Sequence, residues 1–163
     1  MQGIPLNERK RLGALLDDRP QAEVMAMIPQ FSQAETDNFV APPAQIPEAL
    51  GVLMFNMERG VNLPEIQEFL RDCPDIQPFD VILANELDDG CSRSGNKNPA
   101  RELAQAFGLN YAWGLEFIEL VNDENAKGFH GNAVFSRWPI RRAGVIRLPE
   151  QYNWYFDRQK RIG

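Results

Sequence analysis

Apolar and polar positions along this chain follow two different periods, and the changes of period mark its elements. Leu12, Leu15 and Leu16 fall on one helical face near the start, whereas the proline-punctuated stretch APPAQIPEA breaks any regular element. Residues 1–47 therefore read as a helical appendage and linker. The apolar run GVLMF, Gly51 to Phe55, is short enough for a buried strand and is followed at once by polar Asn56. Asn62-Leu63-Pro64 is a helix-start signal, with Ile66, Phe69 and Leu70 on one face of the helix it opens. A second buried strand, FDVILA from Phe79 to Ala84, ends at Asn85-Glu86. The order strand, helix, strand predicts that the two strands are parallel neighbours joined by a helical crossover.

Beyond the second strand, the glycine- and serine-rich loop Asp88 to Lys97 leads to Asn98-Pro99, an N-cap and first helical residue. Ala100, Leu103, Ala104 and Phe107 keep helical spacing, and Gly108 is suited to end the helix. The period then shortens to two at Tyr111, Trp113, Leu115 and Phe117. After a polar connection at Asn122 to Gly128, the segments Asn132 to Ser136 and Ala143 to Leu148 are further strand candidates. Residues 48–163 form the predicted domain proper, of α+β class.

Hydrophobic residues at 44% and charged residues at 25% of 163 positions fit a soluble globular chain. No apolar run approaches the roughly 20 residues of a membrane span, and charge occupies the place of a secretory apolar segment, so a cytoplasmic location is expected. Cys73 and Cys91 are expected to be free thiols. A net charge of −6 opposes unaided binding to nucleic acid, whose affinity comes mainly from lysine and arginine on phosphates.

Parallel neighbouring strands bring their C-terminal ends to one sheet edge, so Asn56 and Glu86 are expected to converge. An extended backbone would turn Glu58, two residues on, to the same side. Such an oxygen-rich set suits Mg²⁺ or Mn²⁺. Each residue also has a plainer reading: Glu86 as a solvated loop-boundary residue, and Asn56 as a turn initiator.

Three segments in order carry a more specific signal: VLMFNMERG, FDVILANELD and GFHGNAVFSRWPI, Gly128 to Ile140. Together they resemble the motifs of the endonuclease/exonuclease/phosphatase family of metal-dependent hydrolases, over roughly residues 50 to 148. The resemblance implies a Mg²⁺- or Mn²⁺-dependent hydrolase of a phosphate ester of unknown class: a phosphodiesterase, nuclease or phosphatase. It makes Glu86 the principal metal ligand and Asn56 a residue at metal and phosphate. Glu58 becomes a direct or water-mediated ligand; the family often has aspartate there, which puts direct ligation in question. His130 reads either as a catalytic contact to phosphate or as a structural histidine. Arg93, Asn96 and Asn132 are the candidate substrate-binding residues, although the loop of Arg93, Asn96 and Asn98 reads equally as an ordinary solvated loop. Arg137, Arg141 and Arg142 read as a solvated edge. Tyr152, Trp154, Tyr155 and Phe156 either pack against further structure or face substrate.

The family fold is a two-sheet β-sandwich with outer helices, of which this chain resembles the N-terminal half. Neither Asp-x-Asn nor Ser-Asp-His, the later family motifs, follows Leu148. A truncated reading frame or fragment, inactive alone, is therefore expected, and a non-catalytic binding module on the same half-fold is the alternative. Half a sandwich would expose alternate residues of Val52 to Phe55, Val81 to Leu83 and Ala133 to Phe135, favouring self-association or pairing with the missing half. A stripe of Leu12, Leu15 and Leu16 laid over that face is the competing outcome.

Overall fold

The structure, a computed structural model, describes residues 1–148, 154–156 and 159–163. Four helices, α1 (Leu6–Leu15), α2 (Gln21–Met25), α3 (Leu63–Asp72) and α4 (Pro99–Phe107), accompany one mixed sheet. Its strands are β1 (Ala34–Asp37), β2 (Val52–Arg59), β3 (Val81–Asp89), β4 (Asn110–Glu119), β5 (Phe129–Ser136), β6 (Trp154–Phe156) and β7 (Gln159–Ile162). The strand order is β2-β3-β5-β4-β7-β6, and β1 pairs with β4 beside β7. β2 and β3 are parallel, as the strand-helix-strand pattern predicts; the remaining pairings are antiparallel. The sheet is open, and the described residues contain no second sheet, so the sandwich itself remains an expectation.

Strand alternation decides which face is covered. Ile82 and Ala84 of β3, Tyr111, Trp113 and Leu115 of β4, and Ala133 and Phe135 of β5 are buried beneath α3 and α4, together with Leu70 and Leu103 from those helices. Each large aliphatic or Phe side chain among them contributes about 1.5–3 kcal/mol of burial. Pro64 near the start of α3, and Pro99 with the Asn98 cap at the start of α4, set both helices where the sequence predicts them.

The opposite face carries the other alternating set. Val52, Met54, Leu83 and Val134 lie on it, 56%, 73%, 36% and 40% exposed. This resolves which of the two alternate sets points outward.

Two expectations need correction. Residues 1–47 are not merely appended: Ile4, Leu12, Leu16, Val24, Ile28 and Phe31 join the one hydrophobic core, and β1 extends the sheet. Arg9, 1% exposed, donates to the carbonyls of Glu119, Asn122 and Asn125, tying α1 to the end of β4. The leucine stripe thus packs into the hydrophobic core, and no residue of α1 lines the groove on the open face. Ala143 to Leu148, expected as a strand, joins no ladder. The edge of β4 is already taken by β1 and β7, so the segment crosses the open face as a strap. The Asn38 side chain holds one end, donating to the Ile140 carbonyl and accepting from its N–H. Arg147 holds the other, donating to the carbonyls of Leu115 and Glu116. Among the described residues, no helix is long and apolar enough to cross a membrane.

Candidate functional site

The predicted convergence at the ends of β2 and β3 occurs. Both strands leave regular geometry there: pairing slips between Asn56 and Arg59 and between Ala84 and Leu87. Glu58, Arg59 and Glu86 have φ of 45°, 66° and 57°. Left-handed backbone at a residue with a side chain costs on the order of 1–3 kcal/mol and persists only where the surroundings impose it. The irregularity turns Glu86 so that its Oε1 accepts from Asn56 Nδ2 at 3.0 Å. Asn132, opposite on β5, accepts the Glu86 backbone N–H at 3.2 Å through Oδ1, which also faces Asn85 Nδ2 at 3.3 Å. Its Nδ2 donates to Glu116 Oε2 at 3.3 Å. One residue from each of the three motifs thus meets at one end of the open face, in a groove of about 1060 Å³ shared with the strap.

Glu116 was not legible as a site residue. It shares the outward alternation of β4 with Ala112 and Gly114, and that period was the available signal. Glu58 lacks the extended backbone that was to bring it alongside Asn56. Its own N–H donates to Asn56 Oδ1 at 2.9 Å, and its side chain is exposed.

The other candidates are occupied structurally. Arg93 turns inward and donates to both oxygens of Asp88, at 2.8 and 2.7 Å, and to Glu119 Oε1 at 2.5 Å. Asp88 and Glu119 are fully buried, and a buried carboxylate requires a paired cation. His130 is 3% exposed; its Nδ1 lies 2.7 Å from Asp88 Oδ1, and its ring stacks on Phe117 at 4.4 Å. Arg161 reaches Glu119 as well, at 2.9 Å, so the network ties β3, β4, β5 and β7 together. Burial pushes the Asp88 carboxyl up, but hydrogen bonds from His130 and Arg93 outweigh it and hold the group below its ordinary value. Burial lowers Arg93, and its bonds to Asp88 and Glu119 more than restore it, leaving it raised. Asn96 fastens a turn, donating to the Glu124 carbonyl and accepting from Ala126 N–H. Asn98 caps α4 and donates to Glu35. Cys73 and Cys91 are free thiols, and burial, with Asp88 and Glu119 nearby, pushes the Cys91 thiol up. Tyr152 lies outside the described residues, and the backbone of 154–156 forms β6.

Among the described residues, no group of three or more histidine, cysteine, aspartate or glutamate side chains is placed to hold a metal ion. The Glu86 end offers two carboxylates, Glu86 and Glu116, each facing an amide nitrogen, of Asn56 and Asn132 respectively, whose amide oxygens accept from the backbone N–H groups of Glu58 and Glu86. No family model, curated protein or solved structure matches the chain.

Proposed function

We propose that the chain carries the metal-binding side of a Mg²⁺- or Mn²⁺-dependent phosphoester hydrolase of the endonuclease/exonuclease/phosphatase kind. The observation that carries this reading is the meeting of Asn56, Glu86 and Asn132, one from each motif, at one end of an open groove, with Glu86 on left-handed backbone. The sparse oxygen set fits Mg²⁺, which keeps several waters and takes one or two carboxylates plus substrate phosphate rather than a full protein cage. Glu86 is the first ligand and Glu116 the second carboxylate, with Glu58 acting through water. The bound cation would supply charge stabilisation at the phosphate. Asn56 Nδ2, released from Glu86, would donate to a phosphate oxygen, and Asn132 keeps the Glu86 backbone turned into the groove.

His130 is committed to Asp88 inside the protein, and among the described residues no histidine lines the groove. A cation without a positioned base forfeits much of the rate gain of orientation. Metal binding should be weak and turnover slight. Calorimetric titration with Mn²⁺ tests the site: Glu86→Gln should weaken binding by about tenfold or more, since one of two carboxylates becomes neutral. Glu58→Gln should weaken it less. Equal affinity of wild type and Glu86→Gln would remove the cation from this site.

A further inference from the structure

The open face of the sheet has an apolar middle and opposite charges at its two ends. Val52, Met54, Leu83 and Val134 form the middle, each more than a third exposed. Glu86 and Glu116 stand at one end, where β2 and β3 finish. The strap carries the opposite charge. Its start is pinned at Ile140 beside β1, and its far end at the carbonyls of Leu115 and Glu116, so Arg141 and Arg142 fall near the Ala112 end of β4. Both are exposed, Arg142 lines the groove, and neither enters an ion pair among the described residues. Ala112 and Glu116 are four positions apart, about 13 Å along a strand.

A two-fold axis lying in the plane of the sheet and perpendicular to its strands reverses strand direction while keeping lateral order. Applied to this face, it sets apolar strip on apolar strip and brings the strap arginines of each copy over Glu116 of the other. We propose that the open face is the interface of a homodimer, two copies face to face with antiparallel strands, in which the strap arginines of one protomer meet Glu116 of its partner. Self-complementarity favours a second copy over another polypeptide: one surface holds both charges at matching ends, as an isologous contact requires. The chain's net charge of −6 disfavours other registers, because copies repel unless arginines are set against carboxylates. The association uses the shape and charge of the face, and it competes with the proposed metal site, because Glu116 cannot serve a partner's arginine and a cation at once.

Sedimentation velocity of the full chain over a concentration series, at low and high salt, tests this. The wild type should form a discrete dimer that weakens as salt rises. The double variant Arg141→Glu/Arg142→Glu and the single variant Glu116→Lys should each associate about tenfold or more weakly, with unfolding curves like the wild type because all three positions are exposed. An equimolar mixture of the two should recover the dimer, since the reversed charges again face opposites. Met54→Asp should be monomeric. A wild type that stays monomeric overturns the proposal and leaves the face to a different polypeptide. Open-ended aggregates, or variants that dimerise as well as the wild type and gain nothing on mixing, overturn it equally.

Discussion

Asp88 shows how a residue two places from the candidate site is held by different physics. Its carboxylate is wholly buried between Arg93 and His130, and the bonds that hold its pKa down also stabilise the fold. A carboxyl lowered on folding contributes stability that is complete above its unfolded value, near pH 4, and is lost as pH falls through the folded value. Acid unfolding monitored by circular dichroism should therefore steepen below about pH 4. Asp88→Asn should flatten that limb and cost about 3–5 kcal/mol at neutral pH, because Arg93 is left without its bidentate partner. An unchanged acid limb would show that other carboxylates govern it. Arg93 itself was legible as a cation in a loop. Its inward turn was not, because the carboxylates that demand it lie 5 and 26 positions away in sequence.

Asn98 does at the level of the element what the sequence assigns to it and something more. Its side chain accepts from Arg101 N–H at 2.9 Å, capping α4, and donates to Glu35 of the nearby β1 at 3.2 Å. Glu35 also accepts from the Tyr111 hydroxyl of β4 and pairs with the chain's amino terminus. Asn98→Ala should cost about 1 kcal/mol for the cap. Asn98→Asp keeps the cap but sets a carboxylate against Glu35, so it should also destabilise, and neutralising Glu35 by a Gln substitution should relieve part of that loss. Urea unfolding of the single and double variants measures the coupling, and strict additivity would argue against contact between cap and strand. The dipeptide Asn98-Pro99 shows the cap directly; the reach to β1 depends on a strand whose register on β4 no local pattern encodes.

At the level of the whole molecule, adjacent residues of β5 separate the two faces. Phe135 is fully buried under the helices, and Val134 is 40% exposed on the open side. Phe135→Ala should cost about 3–5 kcal/mol, a core truncation, whereas Val134→Ala should stay within about 0.5 kcal/mol when unfolding is followed at protein concentrations too low for association. A large loss at Val134 in dilute protein would mean that the open face is covered within the single chain. Residues 1–47 pack against the end of β4, where Gly13 lies against Leu120 and Val121, and no residue of α1 lines the groove.

Patterns of a few residues specify the local elements: α3 and α4 with their start signals, the buried strands before Asn56 and Glu86, their parallel pairing, and the meeting of those two side chains. Each follows from a pattern confined to a few residues or from one chain-crossing rule. Long-range packing brings Asn132 and Glu116 to Glu86, takes Arg93 and His130 into the interior, and makes the Ala143–Leu148 segment a strap instead of a strand. Those outcomes depend on which strand lies beside which, on backbone slips at Glu58 and Glu86, and on the pairing demand of buried charge. Such terms arise between segments distant in sequence, so no window along the chain contains them.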